Sequence, residues 1–262
     1  MAINSQQQVV INYRLLPEPC SLMSDTPEFT RRCCELNQTF VSITQRVYRL
    51  LESQTRHGLI EAMRYLLVHL TARLHPLSSV ASDSLKALVA AQQSPSECVS
   101  FLATHLSWYN FELLESLVGV LLRGDVRASY QLVAYRERMR ELGMTPLSDV
   151  ASCEVVFGLR DYPGTCCMDV WLDYTHKTYY LHDVHHVKKT VSTALGRSHC
   201  PLYLTTIESR DHCIVLSFLV HELICDELLP FQDTNFHILR TAGIVRVECR
   251  EYEWELEKVS VF

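Results

Sequence analysis

The sequence predicts an α+β protein, in which an N-terminal all-α bundle of about six helices precedes a small α+β domain with ββαββαβ order. Apolar residues recur at helical spacing through residues 25–143, and alternating, β-rich runs begin after residue 153. The net charge of −6 lies wholly in the second part, because residues 1–150 hold 14 basic and 14 acidic residues, whereas residues 151–262 hold 10 and 16. A chain of 262 residues exceeds one typical domain, so we expect two hydrophobic cores.

Two long helices open the predicted bundle. The first begins at Thr26-Pro27, where threonine can cap and proline fits the first helical position. Its apolar stripe alternates four- and three-residue steps through Phe29, Cys33, Leu36, Phe40, Ile43, Val47 and Leu50. The second carries a similar stripe that ends before Pro76. We expect the two stripes to face each other.

Four shorter helices complete the predicted bundle. One covers residues 82–91, and the next opens at the capping box Ser94-Pro95-Ser96-Glu97. Asn110 is expected to cap the fifth helix, and Asp125 opens the sixth, which ends at Gly143. The expected organisation is thus an extension over 1–24, the bundle over 25–143, a linker over 144–152 and the α+β domain over 153–262.

The α+β domain is predicted from alternating and β-branched runs. Strands are expected over 154–159 and 168–173 as a hairpin, over 202–207 and 213–220 as a second pair, and over 244–249. Helices are expected over 183–195 and 221–242. The tail alternates acidic residues with Tyr252, Trp254 and Leu256, a pattern that could extend the last strand.

Composition excludes several classes of protein. The acidic second half is a poor match for a phosphate backbone, which disfavours nucleic acid as a partner. No apolar run reaches the roughly 20 residues that cross a bilayer, and residues 1–8 do not resemble a signal peptide. We therefore expect a cytoplasmic protein with no membrane span. Its eleven cysteines are then expected to be mainly buried apolar residues rather than a disulfide framework, with Cys33, Cys98, Cys213 and Cys249 as the clearest cases.

Two groups of residues have metal-ligand spacing. His221-Glu222-Leu223-Ile224-Cys225 is similar to the zinc motif with ligands at i and i+4 and a glutamate base between them, but cysteine replaces the second histidine. His182, His185 and His186 would share one side of a helix. The alternatives are a helix start with Cys225 packed inward for the first group, and a solvated face or pH switch for the second. We expect no metal, no cofactor and no catalytic residue.

Adjacent ligand-type residues occur at Cys166-Cys167, His199-Cys200 and His212-Cys213, without any paired C-x-x-C knuckle. Neighbours on a strand point to opposite faces, so we expect one member of each pair to lie in the core. Hydrolase elbows and the common phosphate-binding glycine motifs do not occur in this sequence.

Trp108-Tyr109-Asn110 is the candidate partner-binding segment. Tryptophan and tyrosine are enriched at interface hot spots, and a loop at a helix start can present them. The alternative is that the aromatic residues fix the start of the helix in the core.

Two stretches carry a resemblance to a known module. They are residues 106–118, Leu-Ser-Trp-Tyr-Asn-Phe-Glu-Leu-Leu-Glu-Ser-Leu-Val, and the C-terminal strands around 202–220 and 242–249. Together they resemble a helical plus α+β module of multidomain signalling proteins of early-branching animals, where it tends to accompany death-fold or NACHT domains. The resemblance implies an interaction or regulatory role in intracellular signalling and implies no catalytic residues.

These observations favour a non-enzymatic scaffold or adaptor that binds protein partners. One alternative is a metal- or cysteine-dependent hydrolase that uses His221, Glu222 and Cys225. Another is an obligate homo-oligomer in which the first-helix stripe pairs between copies.

Overall fold

The computed structural model describes residues 27–53, 56–71, 83, 87, 90–91, 106–153, 155–158, 164–175, 177–195, 202–222, 225, 236–250 and 252–256. These residues form a mixed α+β fold with seven helices and one five-stranded antiparallel sheet. The expected N-terminal extension lies outside the described residues, as do the fourth predicted helix up to residue 105 and most of the third. Among the described helices, none is both long and apolar enough to cross a membrane.

The first half contributes α1 (Glu28–Ser53), α2 (Arg56–Thr71), α3 (Glu112–Leu121) and α4 (Val126–Leu142). The predicted stripe of α1 is buried from Phe29 to Val47, although Leu51 replaces Leu50 at its end. This stripe packs mainly against α4 and α3, and α2 packs against α3. The expectation that α1 and α2 face each other is therefore corrected. Because the stripe is covered within its own chain, it is not free to pair with a second copy.

Capping follows the sequence at one helix and departs from it at another. Asp125 caps α4 as predicted, since its Oδ1 accepts a hydrogen bond of 3.0 Å from the Ala128 amide. At α3 the N-cap position belongs to Phe111, and no side chain caps that helix. The expected cap by Asn110 is wrong because the Asn110 amide bonds to strand residues instead.

Residues predicted as a linker contain a short helix, α5 (Leu147–Ala151), with Leu147 and Val150 buried. It packs against the strands of the second half. Buried apolar residues from Phe29 to Leu256 form one contiguous cluster that includes members of both halves. The expectation of two separate cores is thus corrected, because α5 and the segment before α3 bury their apolar side chains against the sheet.

The second half contains β1 (Thr165–Asp173), α6 (Asp183–Ala194), β2 (Tyr203–Arg210), β3 (Cys213–His221), α7 (Phe236–Thr241), β4 (Ile244–Cys249) and β5 (Tyr252–Glu255). The strand order is β2-β3-β1-β4-β5, and every pair is antiparallel. The alternating tail forms β5, a separate strand that returns along β4 after a turn at Arg250.

The described residues 155–158 do not form the first strand of the predicted hairpin. In the described part of residues 154–159, only Val156 bridges to Thr206, and the Phe157 amide donates to the Thr205 carbonyl at 2.8 Å. The hairpin is therefore replaced by β1, whose neighbours are β3 and β4. Alternation along β1 was predicted and is clear, because Met168, Val170 and Leu172 are buried while the residues between them are partly exposed.

Candidate binding cleft and cysteine cluster

The segment at residues 106–111 joins the helical half to the sheet. Trp108 is 1% exposed, and its indole Nε1 donates a hydrogen bond of 3.0 Å to the Val156 carbonyl. Its ring stacks on Phe157 with the centroids 5.2 Å apart, and Tyr135 donates a hydrogen bond to the Trp108 carbonyl. Trp108 is therefore placed inside the protein, where a partner cannot reach it.

Asn110 is buried and pairs with the outer edge of β2. Its Nδ2 donates to the Leu204 carbonyl at 2.9 Å, and its Oδ1 accepts from the Leu204 amide at 3.1 Å. Nδ2 also lies 3.0 Å from the Ser107 hydroxyl oxygen. The same oxygen accepts a hydrogen bond of 2.9 Å from the Asn110 backbone amide. The side-chain amide thus takes the place of a neighbouring strand and satisfies two backbone groups that would otherwise be buried without partners.

Tyr109 faces a cleft on the other side of this segment. Its hydroxyl donates to the Leu181 carbonyl at 3.2 Å. Burial raises the pKa of the Tyr109 phenol, and the Glu112 carboxylate adds to the shift. The group is therefore a neutral donor at physiological pH. Of the three residues proposed for partner binding, Tyr109 is the one that lines this cleft.

The cleft has a volume of about 540 Å³ and lies where the segment before α3, the end of α4 and the start of α6 meet. Its apolar wall is formed by Tyr109, Phe111, Met139, Met144 and Leu181. The polar lining comprises Arg140, Lys188, Glu112 and two imidazoles, those of His182 and His185. The lining therefore combines a flexible apolar surface with two permanent cations and one carboxylate.

Lys188 is the most enclosed charged group in this cleft. The residue is 8% exposed, and its Nζ lies 3.8 Å from Glu112 Oε1. An ammonium held in a partly dry wall is costly without an anionic neighbour, so the Glu112 contact stabilises it. The carboxylate of a ligand in the cleft could contact the Lys188 ammonium in addition to Glu112.

Of the three predicted histidines, His182 is the N-cap residue of α6, and His185 and His186 lie on the exposed side of that helix. His182 Nδ1 is 2.9 Å from the Gly143 carbonyl oxygen, and its ring stacks on Tyr180. His185 and His186 are exposed, and His185 alone of these two lines the cleft. Within the described part of the chain, these imidazoles form no group of three potential ligands around one point.

The structure describes part of the motif that starts at His221. Glu222 is exposed, its carboxylate lies 3.7 Å from Arg250 Nη2, and Cys225 is fully buried. The His221 backbone ends β3 opposite Thr165, and the His221 side chain is outside what the structure describes. Among the described side chains of this motif, Cys225 is the one that joins other potential ligands.

Cys225 lies close to two cysteines, Cys166 and Cys249, that no local sequence motif connects with it. The Sγ atoms of Cys166 and Cys225 are 2.7 Å apart, and Cys249 Sγ lies 3.9 Å from the first and 3.8 Å from the second. Among the described residues, this is the one group of three metal-ligand side chains that converge. The chain separations are 59, 83 and 24 residues, so no local spacing indicates the group.

A partial signal was nevertheless present in the sequence. The expectation that one member of Cys166-Cys167 lies inward agrees with a half-buried Cys166 and an exposed Cys167. Cys33 and Cys249 are buried as predicted, Cys213 is half-buried, and Cys98 lies outside the described residues.

Comparisons with protein-family models, with curated proteins and with solved structures found no match to this chain. The fold and the two sites therefore define it as an α+β protein with an amphipathic cleft and a separate three-cysteine cluster. The case for its function rests on these sites alone.

Proposed function

We propose that this chain is a non-enzymatic interaction module that binds a short peptide segment of a partner protein in the cleft between α3, α4 and α6. The single observation that carries the proposal is the lining of this cleft, where an apolar wall borders a largely enclosed lysine. A cavity of about 540 Å³ lies in the range of small-ligand sites and accommodates one or two side chains.

The lining favours a peptide that carries an apolar side chain next to an acidic one. Met139 and Met144 are flexible and polarizable, so they can adjust to apolar side chains of different shape. Lys188 supplies positive charge close to that wall, 3.8 Å from the Glu112 carboxylate, whereas the Arg140 guanidinium is paired with Glu137 at 2.6 Å. An acidic side chain of the peptide would thus gain a charge-assisted hydrogen bond at the edge of the apolar contact.

The hydrolase alternative would use His221, Glu222 and Cys225, and none of these is among the described residues that line the cleft. The cytoplasmic location and the signalling role that the sequence resemblance implies belong to this proposal, with a protein segment as the partner. The homo-oligomer alternative loses its basis because the α1 stripe is already covered.

Selection from a peptide library on the full chain tests the proposal. We expect the selected peptides to combine acidic and apolar residues and to bind, as measured by fluorescence anisotropy, with affinity that Met144→Glu lowers at least about tenfold. Met144 is 64% exposed at the cleft, so the added carboxylate repels an acidic peptide without disturbing the core.

Val126→Glu is the matched control, because Val126 is 81% exposed at the opposite end of α4 and receives the same charge change. We expect it to leave the affinity unchanged. Selected peptides that bind Met144→Glu as tightly as the parent chain would overturn the proposal. If Val126→Glu weakened binding and Met144→Glu did not, the proposal would also be overturned. The peptide would then bind at the exposed face of α4 rather than in the cleft.

A further inference from the structure

The sheet register brings three cysteines together at one end of the sheet. Met168 of β1 lies opposite Cys249 of β4, and Cys166 precedes Met168 by two residues, so all three share one face. Cys225 follows β3, whose last residue pairs with the first residue of β1. Three separate chain segments therefore deliver their thiols to a common point.

The separations suit a thiophilic metal ion. Zinc binds thiolates at about 2.3 Å in tetrahedral geometry, which places the sulfur atoms about 3.8 Å apart. The Cys249 Sγ lies 3.9 Å from Cys166 Sγ and 3.8 Å from Cys225 Sγ. The Cys166–Cys225 pair is closer, at 2.7 Å, so a shared ion requires these two sulfur atoms to separate by about 1 Å. Rotation of the half-buried Cys166 side chain can provide this change.

A cation lies next to the three sulfur atoms. The Arg250 guanidinium lies within hydrogen-bond reach of the Cys166 sulfur. Three thiolates around a divalent ion carry one excess negative charge, which the neighbouring arginine offsets. Arg250 occupies the tight turn between β4 and β5 directly after Cys249, with φ of 54°, and so remains next to the cluster.

We propose that Cys166, Cys225 and Cys249 together bind one soft metal ion, with Zn²⁺ as the expected occupant. The described residues supply three ligands to the group. The ion links β1, β4 and the segment after β3, which tethers one end of the sheet. This site differs from the sequence expectation of no metal, and it is independent of the cleft proposal.

Metal analysis of the full chain, purified with a reductant, tests the site. We expect about one Zn²⁺ per chain. We also expect Co²⁺ titration to produce the intense near-ultraviolet charge-transfer absorption of thiolate-bound cobalt. Competition with a chromophoric chelator should show that Cys249→Ser weakens Zn²⁺ binding at least about 100-fold. Cys167→Ser should leave it unchanged, because Cys167 is the exposed neighbour on the opposite face of β1.

A second measurement uses the parent chain and does not depend on the folding of a variant. Zn²⁺ should protect Cys166, Cys225 and Cys249 from alkylation, as peptide mass mapping reports, while Cys167 is alkylated with or without the ion. Substoichiometric zinc, a cobalt complex without thiolate charge transfer, or equal protection of Cys167 would each overturn the proposal. The intact chain could instead have a mass lower by two hydrogens after reductant treatment, with Cys166 and Cys225 in one linked peptide. This result would overturn the metal site and show a disulfide between these two cysteines.

Discussion

Replacement of Asn110 by alanine removes the side-chain hydrogen bonds that connect the segment before α3 to the edge strand β2. The parent side chain exchanges two hydrogen bonds with the Leu204 backbone, at 2.9 and 3.1 Å. Leu204 and Asn110 are both buried, at 0% and 3% exposure, so water cannot readily replace the lost amide. The substitution therefore leaves one amide and one carbonyl of β2 without partners.

The expected cost follows from these two groups. A buried polar group without its partner costs about 1 to 3 kcal/mol, so Asn110→Ala should lower the free energy of unfolding by roughly 2 to 6 kcal/mol. This is a large fraction of the roughly 5 to 15 kcal/mol that stabilises a typical protein. Asn110→Asp should cost at least as much, because a carboxylate can accept from the Leu204 amide but repels the Leu204 carbonyl.

Urea unfolding followed by circular dichroism measures the change, and hydrogen exchange at the Leu204 amide reports its location. Asn37→Ala is the matched control, since Asn37 is half-buried within α1, where alanine has the higher helix propensity. We expect the control to be neutral or slightly stabilising. If Asn110→Ala cost less than about 1 kcal/mol, or if the Leu204 amide kept its protection, the strand-like role of Asn110 would be refuted.

Two further predictions concern a close contact and a helix cap. Gly243 has φ of 77°, and an added Cβ would lie 1.8 Å from Tyr179 Oη, so Gly243→Ala should cost about 3 kcal/mol in thermal or urea unfolding. Gly164→Ala, with φ of 79° and open space, should cost about 1 kcal/mol, and Tyr179→Phe should partly rescue Gly243→Ala in the double variant; no rescue would contradict the contact. The Ala128 amide holds the pKa of Asp125 below its ordinary value of 3.8, so this carboxylate stabilises the fold above that pH and its contribution is lost as the pH falls. Between about pH 5 and about pH 3, the parent chain should therefore lose more stability than Asp125→Asn, which retains a capping oxygen; equal losses would argue against the cap.

The sequence predicts helices and strands correctly where a local pattern of residues determines them. The α1 stripe, the Asp125 cap, and the strands β3 and β4 follow from spacing and residue type, because helix and strand periodicities depend on neighbours within a few residues. The tail shows the limit of this reasoning. Its alternation correctly indicates a strand, but the reversal at Arg250 that makes it β5 depends on pairing with β4.

The candidate sites lie beyond such local patterns. The sequence draws attention to Trp108, Tyr109 and Asn110. Their spacing, however, cannot show whether they bind a partner at the surface or connect the helical half to the sheet. The structure gives Trp108 and Asn110 the second role, because the outer edge of β2 offers unpaired backbone groups that the asparagine amide can satisfy. The same edge explains the short bridge at Val156, where a full strand was expected.

By itself the sequence determined the α+β character, and its local patterns correctly indicated α1, the Asp125 cap and the strands β3 and β4. Tertiary structure alone decided that both halves share one apolar cluster, that a cleft opens beside Tyr109, and that Cys166, Cys225 and Cys249 converge. The physical reason is that periodicity encodes which face of an element is buried. Contacts between residues far apart in the chain depend instead on strand register and packing, which no short stretch of sequence specifies.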